Sequence, residues 1–282
     1  MTFCRDMTGP LRRVLVRAPR EGDAALWQRY GWRAEPDFTR ATEEHQAFRA
    51  ILEDSGAEVI EAQAPLPPDP DAIYMMDSTL VGPRGAIILR FGKEARRVET
   101  DAAEVDLTAA GIVITGHLTG DATVEGGDMV LLDPNTLLVG RTYRTNDEGI
   151  AQLRDLLPDT EVFAFDMPHV NGPDECLHLM SVLSPLDTDL AIAYPRLAPA
   201  RLLELLADRG VETVEVPDEE FGTMGPNVLA LGPRKALALE GNPETQRRME
   251  TAGVEVHTYR GQEISLKGDG GPTCLTRPLV RD

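Results

Sequence analysis

Apolar and polar positions alternate along residues 11–18 (LRRVLVRA) with the two-residue period of a strand that covers one face. A helical period follows at about 41–55, where Phe48, Ile51 and Leu52 fall on one side and Gly56 stands where a C-cap would. A short β-branched strand, AEVIEA, comes directly after. The same succession of helix, Gly or Pro-Asp, and short strand recurs at AAGIVITG (109–116), LPDTEVFAF (157–165), RGVETVEV (209–216) and TAGVEVHTY (251–259). Five copies at a spacing of roughly 45–55 residues predict a repeat architecture.

The stretches between these copies also match one another. TLVGPRGAIIL, MVLLDPNTLLVG, SVLSPLDTDLAIAY and NVLALGPRKALAL each read as an apolar hairpin around a turn, with GPRG, DPNT, PLDTD and GPRK at the bends. A fifth hairpin requires CLTRPLV from the C-terminal part beside LRRVLVRA from the N-terminal part. Joining the two in one sheet closes a ring and removes free strand edges. Helix starts agree: Asn242 precedes Pro243, and Asn146 precedes Asp147 and Glu148, acids that suit a helix N-terminus. The expectation is one α/β domain over 1–282, built of five ββαβ-like units around a pseudo-fivefold axis. Residues 20–37 interrupt the pattern and hold both tryptophans, Trp27 and Trp32, with Tyr30 between them. They read as a lid over a pocket or as the packing of an irregular segment.

Charge narrows the choice of partner. Lys and Arg total 28 against 47 Asp and Glu, a net charge of −19. Nucleic acid and anionic membrane are therefore disfavoured, and a cationic small molecule is the expected guest. No apolar run has the length of a signal-peptide core or of a membrane span, which predicts a cytoplasmic protein. Three distant cysteines, Cys4, Cys176 and Cys274, give no disulfide framework, and no CxxC or HExxH pattern suggests a metal.

If the units are equivalent, residues just ahead of each first hairpin strand meet at the axis. Those positions hold Asp77, Glu125, His178, Asn227 and Cys274, separated by 48, 53, 49 and 47 residues. Singly, each has a plain structural explanation: a buried thiol, a hydrogen-bonded core histidine between Leu177 and Leu179, an acid in a turn. Jointly they bring a nucleophile, a base and two carboxylates to corresponding places. The run Gly268-Asp269-Gly270-Gly271 ahead of Cys274 supplies a flexible, acid-bearing approach to the sulfur.

The motifs DAIYMMD (71–77), EGGD (125–128), VGRTYRTN (139–146), LHLMS (177–181) and DGGPTCLT (269–276) resemble the guanidino-modifying superfamily of five-bladed α/β-propellers, the penteins. That superfamily includes dimethylargininases, arginine deiminases and amidinotransferases. The resemblance implies Cys274 as nucleophile, His178 as general acid and base, and Glu125 as the carboxylate supporting them. It implies Asp77 and Asp269 as holders of the guanidinium nitrogens, Arg90 and Arg144 for a substrate carboxylate, Asp71 for its amino group, and Asp128 among the substrate-binding set. It implies no metal or organic cofactor, and a homodimer is compatible with it. The two arginines are equally well explained as surface ion pairs.

Within the superfamily, deiminases and amidinotransferases show His-x-Asp where this chain has His178-Leu179-Met180, closer to the dimethylargininase pattern. The implied reaction is hydrolysis of a guanidine C–N bond through a thiouronium adduct, converting N-methylated arginine to citrulline plus methylamine or dimethylamine. Met76 stands where dimethylargininases carry an acid and deiminases an arginine, and an apolar neighbour there suits an N-alkylated guanidine. An amidinotransferase or deiminase acting on another guanidine is the alternative. A non-catalytic pentein that binds a macromolecule is the alternative of another class.

Overall fold

A computed structural model describes residues 3–170, 172, 173 and 175–282. Among these residues the strands form five sheets of three, each assembled in the same way. In the first, β1 (Leu11–Val16) runs parallel to β2 (Glu58–Glu61), with Val14 opposite Val59. The second holds β3 (Thr79–Gly82), β4 (Gly85–Ile88) and β5 (Ile114–His117), and the third β6 (Met129–Asp133), β7 (Thr136–Arg141) and β8 (Glu161–Asp166). The fourth holds β9 (Leu183–Asp187), β10 (Leu190–Ala193) and β11 (Glu212–Glu215), and the fifth β12 (Leu229–Gly232), β13 (Lys235–Leu239) and β14 (Glu255–Tyr259). In each of these the first two strands are an antiparallel hairpin, and the third lies parallel beside the middle one after a helical crossover. The last strand, β15 (Arg277–Arg281), returns to pair antiparallel with β1, Val14 facing Pro278, so the ring closes between distant parts of the chain. The architecture is the five-bladed α/β-propeller expected of the repeat.

The crossover helices span Phe38–Asp54, Glu99–Ala109, Asp147–Leu156, Ala200–Asp208 and Pro243–Thr251. The first begins at residue 38 rather than about 41, because the Asp37 carboxylate accepts the Arg40 N–H at 3.0 Å and caps it. Asn146 caps the third through Gly149 N at 2.8 Å. Apolar side chains from neighbouring blades interlock: Phe48 and Leu52 of the first helix pack with Val14, Leu237, Leu239 and Tyr259. The Phe48 and Tyr259 rings meet edge to face at 4.9 Å. Parallel middle strands covered on both sides explain why the hairpins read as continuous apolar runs.

Short 3-10 turns at Met75–Ser78, Gly126–Asp128 and Leu179–Ser181 each lead into the first strand of a blade and pack in succession toward the axis. Residues 20–37 form a 3-10 turn at Glu21–Leu26 and a short helix at Trp27–Tyr30, stopped at Gly31 with φ 80°. Tyr30 and Trp32 are buried, and the Trp32 ring lies 6.0 Å from that of Tyr74. These two rings pack inward, while Trp27 is half-buried. Among the described residues no helix is long and apolar enough to cross a membrane.

Candidate active site

One cavity of about 420 Å³ opens where the axial turns meet, and Asp71, Asp77, Arg144, His178, Asp269 and Cys274 all line it. Glu125 is fully buried and does not itself line the cavity, but it holds lining residues through three hydrogen bonds. Its Oε2 accepts from His178 Nε2 at 3.0 Å and from Arg144 Nη1 at 3.1 Å, while Oε1 accepts the Lys93 N–H at 2.9 Å. Burial opposes ionisation of Glu125, but the His178 hydrogen bond and the Arg144 charge outweigh it and hold the carboxyl down at about 2. Burial likewise opposes the imidazolium of His178, yet the charges of Asp128 and Glu125 raise it to about 10. The pair is accordingly an imidazolium on a carboxylate at neutral pH.

The glycines around these groups are there because nothing larger fits. A Cβ on Gly126 would overlap the Met76 carbonyl, and one on Gly127 would press at 3.1 Å on both the Asp77 carboxylate and the His178 ring. The same is true of the approach to the sulfur: side chains on Gly268 and Gly270 would collide with Tyr74, and one on Gly271 with Asn227. Asp269 takes a left-handed φ of 62°, which swings this run around the cavity rim. Asn227 donates Nδ2–H to Cys274 Sγ at 3.4 Å and accepts the Thr273 N–H at 3.2 Å, fixing the turn that presents the thiol. Burial pushes the Cys274 thiol up to about 12, with the charge of Asp77 adding to the effect, so the resting sulfur is protonated.

Asp77 accepts the Gly127 N–H at 2.9 Å and the Arg96 guanidinium at 2.5 Å. Arg96 is buried, and its remaining donors reach Glu99 and the carbonyls of Asp71 and Tyr74. Asp71 accepts Trp32 Nε1 at 2.7 Å and Lys93 Nζ at 2.6 Å. Asp269 pairs with Arg33 at 2.7 Å. Asp128 does not line the cavity. It is fully buried, accepts from Thr142 and Thr145 at 2.7 Å each, and takes the Leu179 N–H at 3.1 Å, so it fixes the main chain next to His178. Arg90 lies outside the cavity lining as well: it donates to the Ala122 carbonyl at 3.4 Å, and its backbone bridges to Val124.

Three expectations change. The overall charge of −19 is not reproduced in the cavity, where Arg33, Lys93, Arg96 and Arg144 stand among Asp71, Asp77, Glu175 and Asp269. Met76 does not touch a guest: it is 1 % exposed and packs with Val130, Leu138 and Leu179 in the core. Lys93 and Arg96, which sequence reasoning missed, engage the acids predicted to receive substrate. Their signal was the basic cluster Lys93, Arg96, Arg97 in a chain poor in cations.

Comparison with known proteins adds kinship to this geometry. The family model described as arginine deiminase matches residues 60–211 and 198–281. The chain belongs to the arginine deiminase family. Arginine deiminases from Mycoplasma capricolum and Mycobacterium avium are 32% and 29% identical over 57% and 76% of this chain. The chain spans 48% and 61% of the length of those two relatives. An uncharacterized protein of Aeropyrum pernix is 27% identical over 94% of both chains. Among solved structures, a dimethylarginine dimethylaminohydrolase from Pseudomonas aeruginosa, complexed with citrulline, superposes with TM-score 0.78 at 24% identity over 97% of this chain and 100% of its own. The N-terminal domain of a cyanobacterial arginine dihydrolase bound to substrate reaches TM-score 0.82 at 19% identity, over 95% of this chain and 98% of its own. These likenesses place this arginine deiminase family member on the pentein fold.

Proposed function

We propose that the chain is a cysteine-dependent hydrolase that cleaves a C–N bond of a guanidinium, with N-methylated arginine as its substrate class. The observation carrying this reading is that a thiol, an imidazolium paired to a buried carboxylate, and the carboxylate of Asp77 face one cavity. A planar cation fits between such groups, because carboxylates accept its N–H bonds while its central carbon meets the sulfur. The choice of an N-substituted guanidine is supported by Met180, which is 2 % exposed and packed in the core where the resemblance puts a second gripping aspartate in deiminases. The carboxylate that would grip a second pair of guanidinium nitrogens is then missing from that position.

The charges define the course. Cys274 rests as a thiol, and a bound guanidinium lowers its pKa so that the thiolate forms and the proton leaves to solvent. The sulfur attacks the guanidinium carbon. The C–N bond to the methylated nitrogen breaks as the His178 imidazolium protonates the departing amine, leaving an S-alkylthiouronium. Neutral His178 then takes a proton from water, whose oxygen attacks the same carbon; the C–S bond breaks, and the product is citrulline. Asp77 and Asp269 hold the nitrogens, and Asp71 faces the substrate amino group. Arg144 and Lys93, which line the cavity, take the role proposed for its carboxylate in preference to Arg90, which does not. The sulfur and imidazole do the chemistry, so the proposed cycle calls for no metal or organic cofactor.

Deimination of unmodified arginine is the second reading, favoured by the family match. Incubation with dimethylarginine, monomethylarginine, arginine and agmatine, followed by mass spectrometry, separates the two. The proposal expects citrulline from the methylated substrates and a covalent adduct on Cys274 that is lost in Cys274→Ser. Turnover of arginine alone supports deimination. Turnover of none, or activity retained by Cys274→Ser, refutes the cysteine hydrolase.

A further inference from the structure

We infer that a second cavity, between Arg277 and Arg281 of the ring-closing strand, binds one small monovalent anion. The two arginines are four residues apart on β15 and therefore share a face of the strand, and they are 6 % and 2 % exposed. Their hydrogen bonds run to main-chain carbonyls: Arg277 Nη1 to Met76 at 3.3 Å and Thr79 at 2.5 Å, Arg281 to Gly9 at 2.6 Å and Ala230 at 2.7 Å. Neutral carbonyls satisfy N–H groups without balancing a full charge. The Nε atoms of both residues are buried with no partner. Among the described residues neither guanidinium forms an ion pair, and burying two uncompensated cations is costly.

Both arginines line one cavity together with Cys4, Asp6 and Gly126. The local candidates balance them only in part. Burial pushes the Cys4 thiol up to about 11, so it is neutral at pH 7. Asp6 spends Oδ1 on the N–H groups of Thr8 and Gly9, both at 2.7 Å. Two guanidinium charges and one carboxylate leave a surplus of one positive charge, which selects a monovalent guest. The cavity holds about 20 Å³. That is room for about one water-sized particle, which admits a halide. A water molecule could satisfy an Nε–H but could not supply the missing charge. Because Arg281 holds the Gly9 carbonyl and Arg277 those of Met76 and Thr79, the anion would tie residues 4–9 and the second blade to the closing strand.

The test uses the intact protein in chloride and in gluconate at equal ionic strength, with crystals soaked in bromide. The proposal expects an anomalous bromide peak between the two guanidinium groups. It also expects a melting temperature that rises by several degrees as chloride replaces gluconate, following mass action. Arg281→Met should lose the chloride dependence; if that variant does not fold, the wild-type comparison still decides. No bromide density in the cavity, or identical melting in the two salts, overturns the inference.

Discussion

Replacing Glu125 by glutamine preserves the shape of the buried side chain behind His178 while removing its charge. All three groups that Glu125 serves are donors: His178 Nε2–H, Arg144 Nη1–H and the Lys93 N–H. A glutamine has one acceptor oxygen, and its NH₂ must confront one of these donors. An opposite charge at this range is worth about 1–3 pKa units, so His178 should titrate that much below its wild-type value of about 10. At ~1.4 kcal/mol per unit, the coupling lost is about 1–4 kcal/mol. The wild-type signs follow from the two shifts. His178 is raised from 6.5, so its contribution is complete below pH 6.5 and fades as pH climbs through about 10. Glu125 is lowered from 4.5, so its contribution is complete above pH 4.5 and is lost as pH falls toward 2. Urea denaturation at pH 3, 5.5 and 9, with an NMR titration of His178, reads both limbs. Glu125→Gln should flatten the acid limb, shift the histidine titration down, and slow turnover by about 10²-fold, because less of His178 is protonated and its neutral form is a weaker base toward water. A histidine titration that stays in place, or a stability loss at pH 5.5 below about 0.5 kcal/mol, would refute the reasoning.

Other perturbations test the frame. Gly126→Ala places a methyl on the Met76 carbonyl and should cost about 1–3 kcal/mol and displace Asp77, seen as lower melting temperature and slower turnover. Arg96→Met strands the buried acids Asp77 and Glu99 and should cost about 3–5 kcal/mol in urea denaturation; a loss under about 1 kcal/mol would show that another cation replaces it. His45 is buried, its Nε2 lacks a partner, and burial depresses it from 6.5 to about 4. Unfolding therefore takes up a proton between those values, and the protein should lose about 3 kcal/mol as pH falls from 6.5 to 4. His45→Leu should remove most of that acid sensitivity, read from melting temperature at pH 4.5 and 7.

The blades were legible because their signals are local. Turn residues such as Asp133-Pro134-Asn135, and the glycine or Pro-Asp that follows each crossover helix, punctuate apolar runs whose length fits a strand buried on both faces. Equivalent positions across the repeat then pointed to the axis, and Asp77, His178 and Cys274 do line a common cavity. What stayed hidden depends on direction rather than spacing. Residues 20–37 announce aromatic content, but nothing local says that Trp32 turns inward to Tyr74 and Asp71. Arg90 and Lys93 are three residues apart, and only the bend after β4 decides which of them reaches the cavity. Met76 sits next to a cavity residue, yet its side chain takes the opposite face and joins the core. The pairing of Arg96 with Asp77 joins two loops whose proximity no sequence period encodes.

The closing strand has a consequence for biosynthesis. Cys274 lies three residues ahead of β15, and β15 is placed only by zipping onto β1, which leaves the ribosome more than 260 residues earlier. Until that late zipper forms, β1 offers one unpaired edge, and the sulfur has no fixed position opposite His178. Covering of that exposed edge and placement of Cys274 beside the cavity therefore happen in one event, the pairing of β15 with β1.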